Sequence, residues 1–164
     1  MKNKTAFRVV SAIPAVFWAF VIYRFSDTPA VESTNESITV TGMLLDLVSR
    51  FIYVDPAKRD MIIAAMEPHI RKIAHMTEFG ILFLLILIPA ALIIKKLSLR
   101  AVITLSVTLL YAVSDEIHQL FVPGRSGMLR DVLIDILGAL IALGLYLVII
   151  IIIRTVRKHI AASK

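Results

Sequence analysis

Three short stretches of this sequence place charged, protonatable and metal-ligating residues at the edges of long apolar runs. Arg71-Lys72-Ile73-Ala74-His75-Met76-Thr77-Glu78 opens one run, Tyr111-Ala112-Val113-Ser114-Asp115-Glu116-Ile117-His118-Gln119 closes another, and Asp131-Val132-Leu133-Ile134-Asp135 opens a third. Residues three or four apart share a helix face, so Arg71, His75 and Glu78 align, as do Tyr111, Asp115 and His118. Glu116 points about 100° away from Asp115 on an ideal helix, so at most one of the two faces a common centre. His75, Glu78, Asp115 and His118 are the candidate catalytic groups, and the same four could ligate a divalent metal, since imidazole and carboxylate suit zinc or manganese. Arg125 could hold a phosphate through paired donors. Plainer readings stand beside these. His75 and Glu78 could form only a hydrogen-bonded pair, Asp131 could cap its helix or favour its dipole, and Arg125 could reach lipid headgroups. His75-x-x-Glu78 lacks the two histidines, four apart around a glutamate, of metalloprotease helices. A Ser114–His118 nucleophile pair is weaker still.

The elements that must position these residues are membrane spans. Of 164 residues, 59% are apolar and 18% charged, with a mean hydropathy of +0.86, whereas soluble domains run nearer half apolar and a quarter charged. The chain has no cysteine, which excludes disulfides, thiolate zinc sites, thiol nucleophiles and lipoprotein anchors. A bilayer crossing takes about 20 mostly apolar residues, and four stretches qualify: 7–25, 73–94, 101–122 and 132–153. We therefore expect an all-α integral membrane protein: a four-span helix bundle forming one membrane domain over 1–164, with an amphipathic helical outer loop between spans one and two. The third span is long enough only if Asp115, Glu116, His118 and Gln119 sit in its outer end. At the helical rise, Glu78, Asp115 and Asp135 lie about 6–10 Å below the outer ends of their spans. An aspartate within a span costs up to ~3 kcal/mol on insertion scales. Five acids and two histidines at one depth imply an enclosed, hydrated pocket. Its ligand-binding set is Arg71, His75, Glu78, Tyr111, Asp115, Glu116, His118, Gln119, Arg125, Asp131 and Asp135.

Orientation follows from basic residues, which favour the cytoplasmic side. Lys2, Lys4, Arg8, Lys95, Lys96, Arg100, Arg154, Arg157, Lys158 and Lys164 all fall on one side of a four-span protein, and no acid does. Both termini are expected in the cytoplasm. The N-terminus is similar to a signal peptide, but Pro14 and the lack of a small-x-small site favour an uncleaved anchor. In the outer segment 26–70, Ser26–Ser37 is polar and turn-rich. Val40, Met43, Leu44, Leu47, Val48 and Phe51 then recur at helical spacing, which predicts an amphipathic helix over the bundle mouth or at the headgroups. Asp55-Pro56 signals the start of a second short helix running to Glu67, with Pro68 beginning the approach to span two. Pro123-Gly124 and Ser126-Gly127 mark a tight hairpin between spans three and four. Pro14 and Pro89 should kink their spans, and Gly138, Ala142 and Leu145 form a small-residue packing face.

Arg71-Lys72 followed by His75-x-x-Glu78, then Asp115-Glu116-x-His118-Gln119-x-Phe121-x-Pro123-Gly124-Arg125, then Asp131 and Gly138, resemble the VanZ-like family; Phe25-Ser26 with Ser33 and Ser37 is similar to its first outer loop. The resemblance covers nearly the whole chain. It departs at Asp135, where the family more often has asparagine. It implies a small multi-pass protein of the bacterial cytoplasmic membrane, of a kind associated with resistance to the lipid-tailed glycopeptide teicoplanin, and brings no settled catalytic mechanism. Two functions stay open. One is an envelope protein whose outer pocket binds a lipid-linked or amphipathic ligand and reduces glycopeptide action. The other is a membrane-embedded, metal-assisted hydrolase or transferase acting on a lipid or cell-wall precursor headgroup. A transporter fits less well, because no ionisable residue lies at mid-membrane. The net charge of +6 does not point to nucleic acid, because the basic tail reads as attraction to anionic lipid. The expected partners are the bilayer and that ligand; nothing indicates an oligomeric state. Reporters fused at Lys96 and Lys164 should be cytoplasmic and one within Ser33–Ser37 external; a cytoplasmic signal from the Ser33 region would overturn this topology.

Overall fold

A computed structural model of the protein describes residues 2–162; Lys164 and the side chains of Lys2 and Lys4 lie outside the described residues. Helices α1 (Lys2–Ser26), α2 (Ala30–Val48), α3 (Arg59–Ile93), α4 (Leu97–Gln119) and α5 (Leu129–Ala162) are joined by short connections, with a 3-10 turn at Pro56–Lys58 and no strand among the described residues. All but α2 are long and apolar enough to cross a bilayer. The protein is an all-α, four-span membrane bundle.

The bundle is held together by α3, which touches every other helix. Where α3 meets α5, a Cβ added at Gly138 would overlap the Met76 carbonyl, and one at Gly80 would lie 3.1 Å from the Gly138 carbonyl oxygen. Helices in lipid associate by such close backbone approach, because lipid offers no hydrophobic drive for it. Ala139 and Ala142 continue the buried stripe of α5, whereas Leu145 is exposed rather than part of it. Ile22, Phe79, Leu82, Ala112 and Val132 fill the space between the four spans, and Phe83, Leu87, Ala139 and Ala142 form a second cluster further along α3. Near that end, Arg100 donates to the Ile94 carbonyl and the Tyr146 hydroxyl, each at 3.1 Å, which satisfies an orphan acceptor at the end of α3.

Two expectations for the segment between spans one and two need correction. The polar stretch after Pro29 is helical: α2 begins at Ala30 and ends at Val48, before Phe51. Its hydroxyls are satisfied within the helix, Ser37 donating to the Ser33 carbonyl at 2.9 Å and Thr41 to the Ser37 carbonyl at 2.7 Å. Glu32 in the first turn suits the helix dipole, and the Ala30 amide donates to the Pro123 carbonyl at 3.1 Å. The face packed on α3 carries Thr41, Gly42 and Leu45, while Val40, Met43, Leu44, Leu47 and Val48 point outward. Asp46 pairs with Arg59 at 2.9 Å and Thr34 accepts from Arg71, so α2 runs antiparallel along the first half of α3.

The second correction concerns Pro68. Asp55 caps the 3-10 turn as expected, accepting from the Ala57 amide at 3.0 Å, but no separate short helix follows. A single 35-residue helix passes through both Pro68 and Pro89. The hydrogen bond Pro68 cannot donate is outweighed here by the packing of α2 across that stretch. At the helical rise α3 extends about 52 Å, well beyond a hydrocarbon core of about 30 Å, so its first turns and α2 form a hairpin standing off one end of the bundle. Pro14 likewise lies within the continuous α1.

Replacing Gly138 with alanine forces α3 and α5 apart and should cost about 1–3 kcal/mol, read as a lowered melting temperature in detergent. Gly144→Ala, where nothing lies within 4 Å, should be neutral or stabilising by up to about 1 kcal/mol.

Candidate functional site

Within four residues N-terminal of the Met76–Gly138 contact, side chains replace glycines and the space between α3 and α5 opens into a cavity of about 370 Å³. Three helices contribute ionisable groups at the level their spacing dictates. Arg71, Lys72 and His75 come from α3, Asp131 and Asp135 from α5, Glu116 and Gln119 from the end of α4, and Arg125 from the 120–128 connection. That connection is a tight hairpin, as expected, closed by the Arg125 amide donating to the Val122 carbonyl at 3.1 Å. Gly124, at φ 75°, supplies the left-handed residue it needs.

Both arginines are held rigidly. Arg125 donates from Nε to the Thr28 carbonyl at 2.8 Å and from Nη2 to the Phe25 carbonyl at 3.0 Å. It is therefore tied to the α1–α2 turn rather than extended toward headgroups. Arg71 donates from Nε to Glu67 at 3.0 Å, again from Nη2 to Glu67, and from Nη2 to Thr34 at 3.1 Å. In each guanidinium Nη1 keeps its donors. Burial, and then the like charge of Arg71, lower the pKa of Arg125 from its usual value, though arginine stays protonated. Two fixed cations thus share one space.

A second cavity of about 230 Å³ lies between α1, α2 and α3, where Ser33, Ser37 and Glu78 meet Arg71, His75 and Arg125 from the other side. His75 Nδ1 stands 3.8 Å from Glu78 Oε2, an ion-pair distance rather than a hydrogen bond. That oxygen is buried without a hydrogen-bond partner, as are both oxygens of Asp135.

The aligned face of α4 makes its hydrogen bonds to α1. Tyr111 donates to the Ala19 carbonyl at 2.5 Å, and Asp115 Oδ2 accepts from Ser26 Oγ at 2.8 Å and from Gln119 Nε2 at 3.0 Å. His118 Nε2 lies 3.2 Å from Asp27 Oδ1, with its ring 4.7 Å from that of Tyr23. Tyr111, Asp115 and His118 thus bind α4 to α1. Glu116 is the acid of the pair that turns to the cavity between α3 and α5, accepting from the Met128 amide at 2.8 Å. Ser114 donates to the Tyr111 carbonyl at 2.7 Å and not to His118. Of the four residues expected to cluster, His75 stands beside Glu78 on α3, while Asp115 bonds Ser26 and Gln119 and His118 faces Asp27. Among the described residues no three histidine or acidic side chains stand close enough to share a metal ion.

Nothing in the sequence patterns above gives a site role to Ser26, Asp27, Thr34 or Glu67. Glu67 was legible, since it stands four residues before Arg71 at the spacing of a helical ion pair. Ser26, Asp27 and Thr34 are joined to the site only by the tertiary fold. Alanine at Ser26 and at Asp115 should each destabilise the protein. In a double-mutant cycle of thermal melts, the pair should cost about 1–3 kcal/mol less than the sum of the singles; strict additivity would show that the hydrogen bond contributes nothing.

No curated protein and no solved structure matches the chain. The VanZ/LLP1 family model matches residues 11–152, a stretch that contains α2, α3 and α4 whole, most of α1 and α5, and every cavity residue named above. On that match the chain belongs to the VanZ/LLP1 family.

Proposed function

We propose that this is a bacterial cell-envelope protein of the teicoplanin-resistance type. Its termini are cytoplasmic, and its α3–α5 cavity, in the outer leaflet, receives the anionic headgroup of a lipid-linked or amphipathic ligand and so reduces glycopeptide action. One observation carries the reading: Arg71 and Arg125 face one cavity, each clamped through Nε and Nη2 with Nη1 left over. Fixing a guanidinium before a ligand arrives removes most of the ordering cost of binding. A phosphate or carboxylate between two such groups relieves their mutual repulsion and accepts charge-assisted hydrogen bonds. The level of the cavity supports an amphipathic ligand. It lies at the N-terminal ends of the apolar stretches of α3 and α5, where a headgroup can be held while its chain stays in lipid.

Expressed in a glycopeptide-sensitive host, the protein should lower teicoplanin susceptibility. Arg125→Lys should return susceptibility to that of the empty host at unchanged membrane abundance. Lysine keeps the charge but cannot hold the Thr28 and Phe25 carbonyls while presenting a paired donor. Full protection by the lysine variant would remove Arg125 from the site. Lipids co-purifying with the wild-type chain in mild detergent should be enriched in phosphate-bearing species over neutral ones, and Arg125→Lys should erase that enrichment.

A further inference from the structure

The cavity between α3 and α5 has two walls of opposite sign. Arg71 and Lys72 on α3, with Arg125 above them, make one; Glu116 on α4 and Asp131 and Asp135 on α5 make the other. The walls do not neutralise each other: no ion pair among the described residues joins them. Glu67 offsets part of the charge of Arg71 from its own side. On the acidic wall, Glu116 accepts one backbone amide. Asp135 is 1% exposed and has no partner for either carboxylate oxygen, a costly state unless a donor arrives with the ligand.

An anion alone, seated on Arg71 and Arg125, would face three carboxylates across a narrow space. A cation alone would face three basic groups. A molecule carrying both charges in the matching order meets neither repulsion. We propose that the cavity selects a zwitterionic headgroup, with its phosphate or carboxylate on Arg71 and Arg125 and a primary ammonium on Asp131 and Asp135. This rests on the anion-binding reading of the same cavity and adds the other end of the ligand. A primary ammonium is favoured over a quaternary one by the lining. An ammonium has three N–H donors for carboxylates, whereas a quaternary nitrogen has none and is recognised by aromatic faces. Among the described residues no Phe, Tyr or Trp lines this cavity.

The test is native mass spectrometry of the full chain in detergent, titrated with lysophosphatidylethanolamine, lysophosphatidylglycerol and lysophosphatidylcholine of one acyl chain. The ethanolamine lipid should bind about tenfold more tightly than either of the others, the scale of one additional charge contact. Asp131→Asn and Asp135→Asn should each weaken the ethanolamine lipid while leaving the glycerol lipid unchanged or tighter, a divergence that a merely damaged fold does not produce. Soluble phosphoethanolamine distinguishes the source: displacement of the lipid at similar concentration means the headgroup alone is recognised, and no displacement with the preference intact means a lipid is; both outcomes keep the zwitterion. Equal or tighter binding of the glycerol lipid, lost with Arg125→Lys, would overturn the zwitterion and leave the anion site standing. Binding of every lipid indifferent to Arg125→Lys would instead overturn the anion reading itself.

Discussion

Where Gly138 lies against the Met76 carbonyl, α3 and α5 approach so closely that no side chain fits at that position. In lipid, where burying a leucine gains nothing over leaving it among acyl chains, this backbone contact is the strongest means of fixing one helix against another. It sets their register. Counting back from the contact, Asp135 on α5 and Lys72 on α3 fall within the same turn, with Arg71 and Asp131 close above. One glycine against a backbone carbonyl therefore decides that the basic and acidic walls stand at equal height. The return of side chains immediately beyond it holds the helices apart and leaves room between them.

Polar groups in the bundle divide by whether a neighbour satisfies them. Trp18 donates to the Glu78 carbonyl, Tyr111 to that of Ala19, and Ser26 and Gln119 both to Asp115. Each of these joins two helices or stiffens one, and each spares a buried group the cost of standing alone. Others are buried without a hydrogen bond: Asp135 and one oxygen of Glu78 beside the two cavities, and Thr104 Oγ1 and His118 Nε2 away from them. The arginines are pinned at one side only. Asp115 and Glu116 differ in their partners: adjacent in sequence, one accepts from Ser26 and Gln119 and the other lines the α3–α5 cavity.

The four spans were legible because an apolar run of about 20 residues has few other uses, and Asp55-Pro56 and Pro123-Gly124 marked their turns through strictly local chemistry. Two features stayed open for one physical reason. The apolar period of α2 fits a helix over the bundle mouth as well as one at the headgroups, and helical spacing aligns the trio of α4 without saying which neighbour it meets. In a membrane protein the outward face is not obliged to be polar. Small and hydroxylated residues such as Thr41 and Gly42 make the helix contact, and an aligned polar face can serve a neighbouring helix as readily as a pocket. Pro68 misled for another reason: its effect on the backbone is local, while the packing of α2 that overrides it comes from residues at least twenty positions earlier. The roles of Ser26 and of the Phe25 and Thr28 carbonyls were not legible at all, because backbone acceptors carry no signature in sequence.

The hairpin over the cavity is fastened by main-chain acceptors: Arg125 holds the Phe25 and Thr28 carbonyls, and Pro123 receives the Ala30 amide. These bonds tie the 120–128 connection to the turn between α1 and α2, so the two loops are fastened to each other beside the cavity. Separating them requires all three bonds to break together, and a cooperative opening of that kind is infrequent.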